Sequence, residues 1–402
     1  MSIAPVEQSV LPGAKAHSDG GWEAPAGVPV QTRSERFASA NPEAFPPVTG
    51  QELEWKLTPV PLVRTLIDGP LDGTPYSFTT TGDSSAAVGW IDRADASVGA
   101  VGLPEDRASA TAWATFDQAL AITVEHDDAS QLIVERADMG SAARAAHMIV
   151  TALPQSRGSV IIHSRGDASL VENIEVVVRD GAALTLITVQ EWGDAALHLA
   201  SIFVTVGRDA MFRHVSVSLG GAVVRVKPSV HLVGDGAEAE LFGVYFADAG
   251  QHLEQRVYLH HAGKATRGRV NYKGALQGAG ARTVWVGDVL IGRDAAGTDS
   301  YEQNRNLVLT EGTRADSIPN LEIETGDIIG AGHASATGRF DDEQLFYLQA
   351  RGISEFEARR LVVTGFLSEI VQKVGNAEIE AHLHGVIERE LASSSPTDTK
   401  GR

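Results

Sequence analysis

The sequence predicts a mainly β protein with a long strand-rich core between small helical regions. Short apolar runs of β type recur from about residue 116 to residue 330, and no credible helix pattern interrupts them. Each run is rich in Val, Ile, Leu and Thr and ends at Gly, Asp or Asn. Strands without intervening helices exclude a βαβ architecture, so the pattern leaves a sandwich, a barrel, a propeller or a β-solenoid.

A weak internal repeat favours the solenoid among these alternatives. Turns of the form Gly-x-Ala or Gly-x-x-Ala recur in steps of 26, 29 and 27 residues, followed by a step of 49, roughly two such intervals. A period of ~20–50 residues is typical of solenoids, in which each coil buries its inward side chains only against its neighbours. The glycines of these turns are Gly181, Gly207, Gly236, Gly263 and Gly312.

Composition restricts the possible functions. An apolar fraction of 43% is ordinary for a globular protein, and a net charge of -19 argues against a nucleic-acid or anionic membrane surface. The absence of cysteine excludes a disulfide framework, a thiolate nucleophile and a self-sufficient thiolate cluster site. Because the N-terminus lacks the pattern of a signal peptide and no apolar window is long enough for a membrane span, we expect a cytoplasmic protein.

The pattern also divides the chain into five parts. The first is rich in Pro, Gly, Ala and Ser without periodicity, and the last is polar. The predicted parts are a flexible N-terminus at 1–31, a mixed and partly helical region at 32–115, the β core at 116–330, a helical domain at 331–392 and a disordered tail at 393–402.

Few elements can be predicted in the N-terminal region. A short helix is predicted over Ser34–Ala40, and a helical turn over Gln51–Leu57 with Trp55 and Leu57 facing inward. Residues 58–110 mix short apolar pieces with Gly and Asp, so we expect irregular structure with short strands there.

The C-terminal region is predicted to be helical after a glycine-rich loop around His333. A first helix is predicted to begin at Asp341, a plausible N-cap with Gln344 as its partner, and to end at Gly352. A capping box at Ser354 opens a second helix that runs to about Val374. The last helix is predicted over Ala377–Leu391, with one apolar face.

Long stretches of this chain resemble the SufB/SufD family of iron–sulfur cluster assembly proteins. The matching stretches are NRNLVLTEGTRADSIPNLEI from Asn304, the His333 loop with its trailing Ala-Thr-Gly, and DDEQLFYLQARGIS running into EARRLVVTGF. Near the N-terminus, ELEWKLTP is similar to a segment that precedes the core in the same family. The resemblance implies a right-handed parallel β-helix between helical terminal segments.

The resemblance also implies a non-catalytic scaffold. In the family, such a chain pairs with a SufB-like protein through the β-helix and binds SufC, an ABC-type ATPase, through its C-terminal helices. ATP hydrolysis is expected on that partner, because the chain lacks a G-x-x-x-x-G-K-[ST] motif. The SufD branch fits better than SufB, because the chain is shorter and SufB proteins carry functional cysteines. The sequence leaves open whether the isolated chain forms a homodimer.

His333 is the sharpest candidate for a metal ligand. A lone loop histidine is more often structural than functional. The resemblance implies a place near the SufB–SufD interface, where this histidine helps to build the nascent cluster. Imidazole is a reasonable iron ligand, as at Rieske-type centres. Some members carry Cys where Ala331 stands, so any thiolate must come from the partner. We expect iron or a cluster to be held only transiently in the complex, and no catalytic residue.

The remaining candidates have simpler explanations. The adjacent histidines His260 and His261 point to opposite faces of a strand, and His382 and His384 do not share a helix face, so neither pair is predicted to chelate a metal. The acidic run at 341–343 fits a helix N-terminus, and Glu322, Glu324 and Asp327 fit a solvated strand face or, less simply, an iron-entry path. Residues predicted to contact the ATPase partner are Phe346, Tyr347, Phe356, Arg359 and Arg360.

Three other interpretations compete with the scaffold. A β-helix enzyme acting on polysaccharides is the main rival, but it predicts an export signal and a groove lined with aromatic residues, whereas aromatic residues make up only 6% of the chain. A self-assembling structural protein is the second, because the open ends of a β-helix are adhesive edges. A SufB-like scaffold is the third.

Overall fold

A stack of two-strand coils forms the centre of the protein in the computed structural model, which describes residues 36–82, 86–137, 139–340 and 342–393. Half of the chain is strand, in a β-solenoid of about eight turns, and this confirms the predicted solenoid. The strands are β1 (Thr79–Gly82), β2 (Ala87–Asp92), β3 (Gln118–Val124), β4 (Asp127–Ala137), β5 (Gly140–Ala152), β6 (Arg157–Gly166), β7 (Ala168–Val178), β8 (Ala183–Trp192), β9 (Leu197–Val206), β10 (Met211–Gly220), β11 (Val223–Leu232), β12 (Glu238–Ala247), β13 (His252–His261), β14 (Arg267–Leu276), β15 (Arg282–Ile291), β16 (Thr298–Val308), β17 (Arg314–Ile323) and β18 (Ile328–Arg339).

Successive strands alternate between two nine-stranded sheets. The even sheet runs β1-β4-β6-β8-β10-β12-β14-β16-β18, and the odd sheet runs β2-β3-β5-β7-β9-β11-β13-β15-β17. Neighbours from β3 and β4 onward pair in parallel, whereas β1 and β2 cap the first coil with antiparallel pairing. No helix interrupts the described residues between 116 and 340, as the sequence predicts.

One corner of the coil explains the sequence repeat. Before each even strand from β6 to β16, one residue adopts a left-handed backbone with φ between 52° and 75°. Two of the predicted glycines occupy this corner, whereas Gly207 and Gly263 lie two positions before it in their coils. Gly312 lies at the other corner, before the odd strand β17, so the last step does not belong to this repeat. The repeat is therefore confirmed from Gly181 to Gly263, and glycine occupies the corner in only half of the coils. The corner residues are Gln155, Gly181, Asp209, Gly236, Ala265 and Gly297.

The strands of the middle coils are buried on both faces. Inward side chains form one continuous apolar core along the solenoid axis, which includes Val204, Val226 and Leu241. Outward side chains are covered by helices, so strands such as β7 and β11 are buried at nearly every position instead of alternating between buried and exposed residues. The helices are α1 (Val60–Asp68), α2 (Arg107–Thr115), α3 (Asp342–Ala350), α4 (Glu355–Val371) and α5 (Ala377–Ser393).

The two helical regions cover different sheets. Apolar residues of α1, such as Leu66, pack on outward residues of the odd sheet, such as Val171 and Leu199. Those of α4 and α5, such as Leu367 and Leu383, pack on outward residues of β8, β10 and β12 in the even sheet. The Ser354 hydroxyl accepts a hydrogen bond from the Glu357 amide at 3.2 Å, as the capping box predicts.

The N-terminal region differs most from the sequence predictions. The described part of the predicted helix Ser34–Ala40 is not helical, because Ser39 instead bonds to Pro104 and Phe37 packs edge-on against Phe45. Helix α1 lies within the segment that we expected to be irregular. The turn around Trp55 is correct, and its indole is buried. The predicted N-cap Asp341 lies outside the described residues.

Buried charges join the N-terminal region to the odd sheet. Arg225 on β11 is 2% exposed and contacts carboxylates of Glu54, Asp106 and Glu254 at 2.5, 3.4 and 3.2 Å. Its guanidinium also lies 4.2 Å from the centre of the Trp55 ring. Arg225, Asp106 and Glu254 are almost fully desolvated, so the network is stable only while these charges keep their partners.

We expect Glu254→Gln to lower the free energy of unfolding by about 3–5 kcal/mol, because it removes a fully buried counter-charge that Arg225 and Arg256 share. The matched control is Glu240→Gln, whose partner Arg213 and own side chain are 33% and 17% exposed. Its cost should be no more than about 1 kcal/mol. Urea denaturation followed by circular dichroism measures both, and equal costs would contradict the role of the network.

A second buried charge cluster lies near the first coils. Arg136 donates to both carboxylate oxygens of Glu172 at 2.6 and 3.0 Å, and the His198 Nε2 lies 2.7 Å from the same carboxylate. Burial alone would raise the pKa of Glu172, but the Arg136 charge and the His198 hydrogen bond hold this pKa far below its usual range.

A carboxyl group whose folded pKa is depressed stabilises the fold above its unfolded pKa, and this contribution is lost as the pH falls towards the folded value. We therefore expect the free energy of unfolding of the wild type to fall below about pH 4.5. In Glu172→Gln, which lacks the titrating group, the fall should be shallower. Urea titrations at several pH values test this, and parallel curves for the two proteins would refute it.

Candidate functional site at the open end of the solenoid

The last coil is the exposed end of the stack. Within the part of the chain that the structure describes, β17 and β18 are the terminal strands of their sheets. Ile329 is 78% exposed and Ile323 is 42% exposed, as is Tyr301. Terminal strands present backbone N–H and C=O groups that can pair with another chain. This end is therefore suited to association through strands.

The interior becomes polar as it approaches this end. Every second residue of β16 faces the lumen, and at Glu302, Asn304 and Asn306 these residues are polar and buried. The Tyr245 hydroxyl donates to the Asn306 amide oxygen at 2.9 Å and accepts from the Asn304 amide at 2.7 Å. Asn304 also donates to the Tyr272 carbonyl at 3.1 Å. An apolar core thus ends in a connected hydrogen-bond network.

His333 lies over this polar end, on strand β18 and not in a loop as predicted. It pairs in register with Glu302 on β16, and its Nδ1 lies 3.7 Å from the Glu302 Oε1. The His333 side chain is 44% exposed, whereas that of Glu302 is fully buried. Glycines on both sides of His333 suggested a loop, but the strand continues through them because parallel pairing with β16 fixes the backbone.

This pair combines a partly exposed imidazole with a buried carboxylate behind it. Imidazole nitrogen and carboxylate oxygen are both ligands of iron, and a buried carboxylate behind a histidine commonly orients its ring. Two protein groups leave other coordination positions open. Sequence reasoning missed Glu302, although the lumen-facing alternation Ser300, Glu302, Asn304, Asn306 could have placed it beside His333.

The predicted ATPase contacts separate into two groups. Phe346, Tyr347 and Phe356 are 72%, 55% and 43% exposed. Arg359 donates to the Leu309 carbonyl and Arg360 pairs with Glu357 and Glu388, so both are engaged within the chain. The aromatic residues are therefore the better anchors for a partner.

The other histidines lie where strand and helix geometry place them. His261 faces the lumen and bonds to Thr266 and Ser300, whereas His260 faces outward against His231. His382 contacts Glu191 on β8, 2.6 Å away, a contact that spacing along the chain could not predict. Burial alone would raise the pKa of Glu191, but hydrogen bonds from His163 and His382 lower this pKa to about 2.

The acidic residues near this end are partly exposed. Glu324 lies 4.0 Å from Arg293, and Asp327 is exposed. The predicted strand face holds only for Glu322 on β17, because Glu324 and Asp327 lie in the connection between β17 and β18.

Comparison with known proteins identifies the family of this chain. The family model for the core domain of SufBD proteins of the SUF iron–sulfur cluster assembly system matches residues 133–366. The chain belongs to the SufBD family. An iron–sulfur cluster assembly SufBD family protein of Mycobacterium bovis is 45% identical over 377 residues, which cover 91% of this chain and 95% of that protein.

Two further relatives differ in how much of their length this chain covers. A SufBD family protein of Mycobacterium leprae is 43% identical over 374 residues, 90% of this chain and 95% of that protein. A second protein of that organism is 28% identical over 218 residues, 54% of this chain but 25% of that protein. The first kind of relative matches this SufBD chain almost from end to end.

None of the described helices could span a membrane.

Proposed function

We propose that this chain is the SufD-like, non-catalytic scaffold subunit of a cytoplasmic complex of SufB–SufC–SufD type. The observation that carries the proposal is the position of His333 over the buried carboxylate of Glu302, 3.7 Å away, at the open polar end of the solenoid. A SufB-like chain would cover this end, and iron or a nascent cluster would form between the two chains.

The absence of cysteine supports a division of labour between subunits. Iron–sulfur clusters are usually held by thiolates, and this chain supplies none. It offers an imidazole and a carboxylate instead, so the thiolates would come from the SufB-like partner. The same absence favours SufD over SufB, and it means that the isolated chain holds a cluster at most transiently.

The C-terminal helices support a second contact. Phe346, Tyr347 and Phe356 are large, exposed and carried by α3 and α4. Aromatic residues are enriched at interfaces and contribute much of their energy. A SufC-like ATPase docked there would hydrolyse ATP, and helices packed directly on the even sheet would transmit its movement to the solenoid.

We expect Ile329→Lys to weaken association with the SufB-like protein of the same source at least ~10-fold, because a charge would be buried at the strand interface. Leu53→Lys is the control, since Leu53 is also exposed, at 66%, but lies in the N-terminal region. Size exclusion with light scattering of the co-expressed, tagged chains measures the complex. Equal losses in the two variants, or none, would contradict pairing through this end. The same size-exclusion measurements test whether the chain alone forms a homodimer.

His333→Ala should leave the mass of the three-protein complex unchanged while lowering cluster assembly at least ~10-fold, because a ligand is lost but the strand edges remain. His126→Ala, which removes an exposed histidine elsewhere, is the control. Reconstitution of the purified complex with iron and sulfide, followed by absorption spectroscopy, measures assembly. Full activity of His333→Ala would refute the role of this histidine, and failure to co-purify all three proteins would refute the scaffold itself.

A further inference from the structure

Three potential metal ligands converge where the last helix meets the even sheet. His163 is on β6, Glu191 is on the neighbouring β8 and His382 is on α5. The Nε2 atoms of the two histidines lie 3.1 and 2.6 Å from the same Glu191 Oε2. The rings of His163 and His382 are 5.6 Å apart between centroids. These three residues are separated by up to 219 positions in the chain, so only the fold brings them together.

The donor set has a defined chemical preference. Two imidazole nitrogens and one carboxylate oxygen, all within 4.8 Å of one another, match the His₂Glu and two-His-one-carboxylate sets of Zn²⁺ and non-haem Fe²⁺ sites. Ligands at about 2.0–2.1 Å from a tetrahedral ion are about 3.3 Å apart. The two separations between histidine nitrogen and the Glu191 oxygen, 3.1 and 2.6 Å, need to change by less than about 1 Å to reach this value.

The surroundings are built to hold the ligands in place. The side chains of His163, Glu191 and His382 are 9%, 23% and 39% exposed, so the site is partly enclosed but open to solvent on the helix side. The Glu135 carboxylate lies 4.0 Å from the His163 Nδ1 and is itself paired with Arg165 at 3.1 Å. A carboxylate hydrogen-bonded to the second ring nitrogen is the usual support of a metal-bound histidine, and a movement of about 1 Å would bring Glu135 to that distance.

The neighbouring cation does not prevent metal binding. Arg389 is 3.9 Å from the other oxygen of Glu191, and its side chain is 66% exposed. A side chain so exposed can turn into solvent when an ion arrives. Its present position shows that the Glu191 carboxylate attracts positive charge from the helix.

We propose that His163, Glu191 and His382 form a binding site for one divalent transition-metal ion of the Zn²⁺ or Fe²⁺ class. The ion fastens α5 to strands β6 and β8, and a water molecule completes its coordination on the exposed side. This site uses none of the residues at the open end of the solenoid, so it does not depend on the proposed function.

The test uses the full chain, freed of metal by a chelator and dialysed. Zn²⁺ and, under anaerobic conditions, Fe²⁺ are titrated separately by calorimetry, and Co²⁺ serves as a spectroscopic probe of tetrahedral coordination. We expect one ion per chain, with Zn²⁺ bound more tightly than Fe²⁺. Binding should also slow the hydrogen exchange of backbone amides in α5.

Variants decide which residues bind. His382→Ala should weaken binding at least ~100-fold, beyond the ~10–100-fold that the loss of a supporting residue usually costs. The matched control His384→Ala removes a histidine two positions along the same helix that is not part of the donor set, and it should bind as the wild type does. His382→Asp replaces one ligand type with another, so its melting temperature should rise on addition of Zn²⁺.

Each outcome is decisive. If the wild type binds no ion, the three residues form only a hydrogen-bonded contact and the proposal is wrong. It is equally wrong if His382→Ala binds like the wild type, or if His384→Ala loses the ion as His382→Ala does. Should His382→Ala unfold, the response of His382→Asp to Zn²⁺ still separates a metal site from a structural contact.

Discussion

The whole molecule depends on the stacking of coils that cannot bury their own cores. A two-strand coil has an inner face only as wide as its strands, and its apolar side chains leave water only when a neighbouring coil covers them. Parallel pairing from β3 and β4 onward keeps equivalent residues above one another. This is why the corner between coils recurs with a left-handed residue at nearly constant spacing, and why that residue need not always be glycine.

The two ends of this stack differ in structure. At the first coil, β1 and β2 turn antiparallel, and Tyr76 and Phe78 pack edge-on against Trp90 to close the lumen with aromatic rings. At the last coil the terminal strands are partly exposed and the lumen is polar. A protein that required only stability would close both ends. The polar, accessible end is therefore the feature that stability does not explain.

The sequence predicts the repeating parts of this structure well and the tertiary contacts poorly. Strand runs, the capping box at Ser354 and the helix around Leu383 follow from local patterns. Helix α1 was missed because it has only nine residues and depends on packing against Val171 and Leu199. His333 was predicted on a loop because glycines suggest turns, whereas the register with β16 determines its strand. Glu191 and His163 are too distant from His382 in sequence for any periodicity to join them.

The strand position of His333 has a chemical consequence that a loop position would not have. A loop could move the imidazole away from Glu302, but the ladder with β16 holds the two side chains in register. If a SufB-like strand covers the terminal edge, as we propose, water would be excluded from His333 while the buried carboxylate stays behind it. Lower local dielectric strengthens the attraction between that carboxylate and a cation. Covering the end would therefore create a stronger cation site than either chain presents alone, and this would link cluster formation to assembly.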